Sequence, residues 1–167
     1  MVDRRGVPDL REYCDSAESY YRLHLEATRE HDFHNRVTAS WGLIARGADS
    51  LPYLILMLRS SNPDSREDAA GALAWLGQDS DGVVSELLTA LRGEHEDQPR
   101  DGIVLALGAL KNRAAVPALA ALIRSDNTDG DTRDCAVESL GKIVRRRFHK
   151  QDDPVAAATA WLDKHGD

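Results

Sequence analysis

The residue types that most often carry out chemistry are scattered along this chain. Its six histidines are His24, His31, His34, His95, His149 and His165. A serine or cysteine nucleophile needs a histidine base and a third group that orients the base. No such arrangement can be read from the spacing, and the isolated glycines predict no phosphate-binding loop. The sequence therefore predicts no catalytic residue and no cofactor, and we expect a protein that is not an enzyme.

Two fragments contain residue types that bind metals, but each lacks the further ligands that a site needs. His31 and His34 flank Asp32, while the two cysteines, Cys14 and Cys135, lie far apart. A bound zinc ion is usually held by three or four convergent side chains. We therefore predict no metal ligand, and we interpret the cysteines as the reduced thiols of a cytoplasmic protein.

One strongly basic stretch is a candidate for electrostatic binding. Residues 145–150 read Arg, Arg, Arg, Phe, His and Lys. Such a run can hold nucleic acid or an acidic partner, and it can equally be a solvated helix end favoured by the helix dipole. The chain as a whole has a net charge of −7. Because nucleic-acid binders neutralise phosphates with Lys and Arg, this charge counts against a nucleic-acid partner.

The composition indicates one globular domain over residues 1–167. Hydrophobic residues make up 42% of the chain and aromatic residues only 5%, which favours slim, closely packed helices. The longest apolar run, residues 54–58, is too short to span a bilayer. The first residues are not followed by the apolar stretch of a signal peptide. We expect a cytoplasmic protein without a membrane partner.

A repeated unit accounts for the order of the elements. Leu73, Leu107 and Leu140 take the same place in three stretches that each begin with Arg and an acid, and they lie 34 and then 33 residues apart. A fixed period of roughly 20–50 residues marks a repeat architecture. A second alignable segment precedes or follows each stretch, so the repeat is a pair of helices. The aligned second segments begin at Leu51, Val84 and Val116.

The two ends of the chain depart from this unit. We expect an N-terminal capping helix within residues 1–31, and a closing helix at about residues 154–164. The predicted inward face of the N-terminal helix comprises Leu10, Tyr13, Cys14, Ala17, Tyr20, Tyr21 and Leu25. Residues 32–46 form a degraded copy of the unit in which Trp41 takes the place of Leu107, so we expect Trp41 in the core.

Residues 115–124 and 133–143 resemble the two helices of HEAT-like repeats, of the kind also found in phycobilin lyases. The resemblance covers about residues 32–165. It implies an all-α, right-handed α-solenoid of about four two-helix repeats with atypical N- and C-terminal capping helices. First helices would line the convex side and second helices the concave side. Members mostly act as protein-binding scaffolds, while a few bind bilins, house a di-iron site or bind DNA.

Each exception within the family can be compared with this sequence. The di-iron branch uses several His-Glu dipeptides, and this chain has only His95-Glu96. A bilin-binding enzyme would need a deep apolar pocket, for which Tyr53, Leu56 and Met57 are the nearest candidates. The DNA-binding branch uses a basic concave surface, whereas residues 62–101 contain ten acids against three arginines. A nucleic-acid-binding or base-modifying protein remains the alternative, and it would need the column of Arg59, Arg92 and Arg124 and the basic residues 145–150 on one continuous face.

The candidate partner site consists of the outward residues of the second helices. They are Tyr53, Leu56, Glu86, Thr89, Ala118 and Ala121, with Arg59, Arg92 and Arg124 at the helix ends. The arginines suit either the helix dipole or the carboxylates of a partner. Trp75, on a first helix, is either an interface anchor or a cover over a helix seam. We expect a non-catalytic scaffold, adaptor or regulator, a monomer or weak oligomer, that binds another protein on the concave groove. A partner with a basic surface would suit the acidic charge.

Overall fold

The computed structural model describes residues 15–76 and 81–165. Every regular element within them is helical, which confirms the predicted all-α class. The α-helices are α1 (Ala17–Glu30), α2 (Phe33–Arg46), α3 (Leu51–Leu58), α4 (Pro63–Leu76), α5 (Asp81–Gly93), α6 (Asp97–Leu110), α7 (Val116–Arg124), α8 (Gly130–Val144) and α9 (Pro154–His165). Single turns of 3-10 helix occupy Gly47–Ser50, Arg113–Ala115 and Phe148–Lys150.

The chain divides into two compact units, whose described parts are residues 15–76 and 81–165. In the first unit α1 packs on α2, α3 packs on α4, and α2 lies beside α4. In the second unit α6 packs on α8, α7 packs on α8, and α9 covers both α7 and α8. Each unit therefore contains layered helix pairs, the arrangement expected for a helical repeat.

Buried positions recur with the predicted period. Leu73, Leu107 and Leu140 are all buried. The residue four places before each leucine is also buried, as is the residue three places after it. Such a stripe at intervals of three and four residues is one face of an α-helix. The residues that recur at the repeat period in the middle of the chain are therefore core residues.

The predicted register of the first copy is wrong by two residues. Leu43 is fully buried, whereas Trp41 is only half-buried. Gly42 explains the difference, because a Cβ atom at this position would lie 2.1 Å from the Tyr20 ring. Helix α1 therefore approaches α2 across Gly42 and buries its neighbour Leu43. Trp41 is left on the outer side of the helix.

The buried face of the N-terminal helix also differs from the predicted inward face, by a rotation of part of a turn about the helix axis. Its buried residues are Ala17, Tyr20, His24 and Ala27. Tyr21 is half-buried and Leu25 is exposed, so these two residues do not belong to the inward face. The other predicted members, Leu10, Tyr13 and Cys14, lie outside the described residues.

The starts of five helices, α1, α2, α4, α8 and α9, share one capping pattern. In each, a side-chain oxygen of the cap residue accepts the backbone N–H three residues later. These pairs are Ser16 with Ser19, Asp32 with Asn35, Asn62 with Ser65, Asp129 with Thr132, and Asp153 with Ala156. The bonds from backbone N–H groups lower the pKa of the Asp32 and Asp129 carboxyls below the usual value.

Helix α6 departs from this pattern for a chemical reason. Its cap residue Glu96 makes no side-chain cap bond, and the residue three places later is Pro99. Proline has no backbone N–H, so no donor at this position needs a partner. The helix begins at Asp97, two residues before the start that Pro99 predicts.

The arginine at the start of each repeat unit holds the connection that precedes it. In all three units its guanidinium donates to the backbone carbonyl oxygen five residues earlier. The bonds run from Arg66 to Ser61 at 3.2 Å, from Arg100 to His95 at 3.1 Å, and from Arg133 to Thr128 at 2.9 Å. Arginine recurs at the start of each repeat unit, and at each recurrence its side chain contacts the preceding loop.

Candidate functional site

The predicted partner residues of the second helices all reach the surface at least in part. Leu56, Arg59, Thr89, Arg92, Ala121 and Arg124 are exposed, and Tyr53, Glu86 and Ala118 are half-buried. Met57, which sequence reasoning grouped with Tyr53 and Leu56 as a pocket candidate, is instead a buried core residue. The outward column read from the repeat alignment thus consists of accessible side chains within each unit.

An aromatic pair marks this column in the first unit. The rings of Tyr21 and Tyr53 lie 5.3 Å apart between their centroids. Leu56 follows Tyr53 by three residues on α3 and is 50% exposed, while Leu25 follows Tyr21 by four residues on α1. These four residues, Tyr21, Leu25, Tyr53 and Leu56, form what we call the second-helix patch. Its two members on α1 were missed because the sequence pattern assigned them to the core.

Each of the three column arginines, Arg59, Arg92 and Arg124, has a partner within the protein. Arg92 donates to the Thr89 hydroxyl over 3.0 Å. Arg124 of α7 pairs with Asp163 of α9 over 2.7 Å. An exposed ion pair contributes only about 0–1 kcal/mol. Partner carboxylates would therefore displace these contacts at small cost, and both interpretations of the arginines stay open.

Trp75 belongs to a different surface. Its ring meets the Trp41 ring edge-on, with 5.2 Å between centroids, and half of the residue remains exposed. Phe33 and Val37 continue the same face of α2, since they precede Trp41 by eight and four residues, and both are exposed. We call Phe33, Val37, Trp41 and Trp75 the first-helix strip. Trp75 both covers a neighbouring side chain and presents apolar surface.

One fully buried polar side chain of the first unit, that of His24, makes contacts that stabilise the fold. His24 is fully buried, and its Nε2 lies 2.9 Å from an Asp68 carboxylate oxygen. Arg36 ion-pairs with Asp64 and also approaches Asp68. His31 and His34 are exposed, and the described residues include no group of three or more side chains able to hold a metal ion.

A groove at the end of the second unit brings the basic stretch against α9. Its volume is about 570 Å³, which lies within the range of roughly 300–1,000 Å³ for small-ligand sites. The lining residues are Arg146, Arg147, Phe148, Lys150, Gln151, Ala157, Ala160, Trp161, Lys164 and His165. We call this site the C-terminal groove.

The turn that builds this groove depends on two backbone features at the end of α8. Arg145 adopts a left-handed conformation with φ of 56° and ends the helix. The following N–H, that of Arg146, then donates to the Gly141 carbonyl over 2.9 Å. A Cβ atom at Gly141 would lie 2.7 Å from the Arg146 carbonyl oxygen. The absence of a side chain at Gly141 therefore lets the basic turn fold back against its own helix.

The charge of the C-terminal groove is one-sided. Arg146, Arg147, Lys150 and Lys164 all line it, and among the described residues none of their side chains has an ion-pair or hydrogen-bond partner. The described lining contains no carboxylate. Four cations near one another without counter-charges favour an anionic ligand.

Aromatic rings form the other component of the groove. His165 stacks on Trp161 with 4.9 Å between centroids and 14° between planes. Its Nδ1 donates to the Trp161 carbonyl oxygen over 2.9 Å, since a carbonyl can only accept. Phe148 meets Trp161 edge-on and is itself buried. The ring system is thus held in place from two sides.

Residues 84–165 match the family model for HEAT repeats. The match covers most of α5 and all of α6 to α9, and it supports the HEAT-like assignment made from the sequence. HEAT repeats commonly serve as protein-interaction scaffolds and are typically non-catalytic. No curated protein was found to match the chain. Among the described helices, none is both long enough and apolar enough to cross a membrane.

The sequence predicts only part of the groove. It identifies the basic stretch at residues 145–150 as a candidate and predicts a closing helix at about residues 154–164, but it does not bring the two together. The available signal was the spacing of Trp161 and His165, which places both rings on one side of a helix. Their proximity to the basic turn comes from helix packing, which no local pattern records.

Proposed function

We propose that this protein is a non-catalytic interaction scaffold, adaptor or regulator that binds a partner protein through the surface of its second helices. The observation that carries the proposal is the second-helix patch. It combines the contacting, tilted rings of Tyr21 and Tyr53 with Leu56, which is 50% exposed. Aromatic and aliphatic side chains that are rigid and accessible are typical anchors of protein interfaces.

The charge of the chain suggests the chemistry of the partner. With a net charge of −7, the protein attracts basic surfaces and repels nucleic acid at long range. A basic partner protein would be steered towards the chain and then held by apolar contacts at the patch. We place this interaction in the cytoplasm because the two widely spaced cysteines suit a reducing compartment, and we expect a monomer or weak oligomer before the partner binds.

The test compares two substitutions that add the same charge to different exposed apolar positions. Leu56→Glu alters the second-helix patch, and Val37→Glu alters the first-helix strip. The tagged variants are used to capture partners from a lysate of the source cells after nuclease treatment, and bound proteins are quantified by mass spectrometry. We expect a stoichiometric partner that Leu56→Glu loses and Val37→Glu retains.

Two results would contradict the proposal. Loss of the partner by Val37→Glu alone would move the binding surface to the first helices. Recovery of nucleic acid in a parallel capture without nuclease, and its loss on nuclease treatment and at raised salt, would favour the alternative of a nucleic-acid-binding protein. Equal urea midpoints for the two variants would show that neither result is caused by unfolding.

A further inference from the structure

We propose that the C-terminal groove binds an acidic peptide segment of a partner protein, in which carboxylates alternate with apolar side chains. The proposal rests on the proposed function in one respect, that the ligand belongs to a protein. It concerns a surface other than the second-helix patch, and the partner segment that binds there is acidic, whereas the partner surface in the proposed function is basic. The second-helix patch lies in residues 15–76, and the groove lies in residues 81–165.

The cations of the groove are arranged for carboxylates. Arg146 and Arg147 come from the turn after α8, and Lys164 comes from the end of α9. Guanidinium groups bind carboxylates through two parallel hydrogen bonds, while an ammonium group acts as a point charge. Because none of these side chains has a partner among the described residues, a ligand would not have to displace a contact with any of those residues.

The apolar part of the groove distinguishes a peptide from a free anion. Phe148, Ala157, Ala160 and Trp161 line the groove together with the cations. A simple anion such as phosphate would gain nothing from these groups. A peptide with leucine or phenylalanine between its acids would bury apolar surface here.

The ring geometry favours a peptide over single-stranded nucleic acid. Base stacking requires an exposed aromatic face. One face of Trp161 is covered by His165, whose plane is 14° from that of the indole. Phe148 is 7% exposed and offers no open face. Trp161 and Phe148 therefore offer little free ring surface on which bases could stack, although the groove has the positive charge of a nucleic-acid site.

The experiment uses the full chain and a fluorescein-labelled peptide of twelve residues. In this probe pairs of Asp or Glu alternate with single Leu or Phe residues. Binding is followed by fluorescence anisotropy and by the indole N–H signals of the three tryptophans, with Trp161→Phe used to assign one of them. We expect saturable binding that shifts the Trp161 signal and leaves those of Trp41 and Trp75 in place.

A matched pair of double variants tests the position of the site. Arg146→Gln with Lys150→Gln removes two groove cations, and Arg113→Gln with Lys142→Gln removes one Arg and one Lys elsewhere in the same unit. Exposed charge pairs contribute about 0.2–1 kcal/mol each, so the groove variant is expected to weaken binding about tenfold. The control variant is expected to bind within about twofold of the parent. Leu56→Glu is expected to leave peptide binding unchanged, which separates this result from the test of the second-helix patch.

Three outcomes would overturn the proposal. The first is no binding of the peptide up to about 1 mM, the weak limit of a specific site. The second is equal weakening by both double variants, which would indicate attraction to charge in general. The third is tighter binding of a labelled oligothymidine of similar length and charge, which would assign the groove to nucleic acid.

Discussion

Arg133 donates a hydrogen bond from its guanidinium to the carbonyl oxygen of Thr128, five residues earlier, over 2.9 Å. Arg66 and Arg100 make the equivalent bond in their own repeat units. The arginine that marks the start of each unit in the sequence therefore has the same structural task each time. It fixes the loop between successive helix pairs.

Arg133→Ala is expected to lower the free energy of unfolding by about 2 kcal/mol, because bonds from a charged donor contribute about 1.5–3 kcal/mol each. The side chain also donates to the Ser125 carbonyl over 2.7 Å, and both acceptors would lose this partner. Urea unfolding followed by circular dichroism measures the change. Arg113→Ala, at an exposed position, is the control and is expected to stay within about 0.5 kcal/mol. Equal effects of the two changes would disprove the role of Arg133.

Substitution of alanine for glycine is expected to lower the stability of the protein at Gly108 and to raise it at Gly71. At Gly108 a new Cβ would lie 2.6 Å from the Ser139 Cα atom, so Gly108→Ala forces α6 and α8 apart. We expect a loss of about 1–3 kcal/mol. At Gly71 no atom lies within 4 Å of the new Cβ, and Gly71→Ala is expected to stabilise α4 by about 0.5–1 kcal/mol. Thermal unfolding of both variants measures the two signs, and a stabilised Gly108→Ala would refute the close approach.

The contact between His24 and Asp68 is expected to stabilise the first unit. His24→Ala leaves a cavity in a fully buried position and removes one partner of the Asp68 carboxylate. We expect a loss of about 2–4 kcal/mol in the free energy of unfolding. Asp68→Asn keeps an acceptor oxygen and is expected to cost less. His34→Ala, at an exposed histidine, is the control in urea unfolding, and a cost no larger than that of the control would contradict the contact.

The Cys135 thiol is expected to react slowly with alkylating reagents in the folded protein. Burial raises its pKa above the ordinary value of 9.0, and the carboxylates of Asp101, Glu138, Asp131 and Asp134 raise it further. The reactive species is the thiolate. Iodoacetamide labelling of a Cys14→Ser variant at pH 8 is expected to be slower in buffer than in urea. Equal rates would contradict the raised pKa.

The same pKa shift sets a dependence of stability on pH. The unfolded thiol ionises near 9.0, before the folded thiol does, so ionisation favours the unfolded state. Stability is therefore unaffected by this group below about pH 9 and falls as the pH rises above it. Comparison of urea midpoints between pH 8 and pH 10 measures the fall. Cys135→Ser has no thiol at this position and is expected to show a smaller fall.

The repeat period could be predicted because it is a local property of the sequence. Leu73, Leu107 and Leu140 are buried at positions that the spacing alone identifies. The first copy could not be placed in register in the same way, since Trp41 and Leu43 are both apolar and only two residues apart. The contact of Tyr20 with Gly42 decides between them, and it joins two helices that the pattern treats separately.

For the candidate sites, the sequence could predict the properties of residues on a single helix but not the contacts between helices. The exposure of Leu56 follows from its place on α3, and the basic charge of residues 145–150 follows from composition. The C-terminal groove required the packing of α9 against the turn after α8, which brings Trp161 to Phe148. The second-helix patch required α1 to lie beside α3, which brings Tyr21 to Tyr53.

The proline at position 99 has a consequence for the divergence and design of such repeats. Two kinds of helix start in this protein differ at the donor position. One has a cap side chain with an N–H donor three residues later, as in Asp129 and Thr132, and the other has a proline at that position, which has no donor, as in Glu96 and Pro99. Changing one member alone, for example Pro99→Ser, would create an N–H without an acceptor. We expect the cap residue and the residue three places later to change together as the repeats evolve. A consensus sequence derived separately at each position could therefore combine the cap residue of one kind of helix start with the donor position of the other.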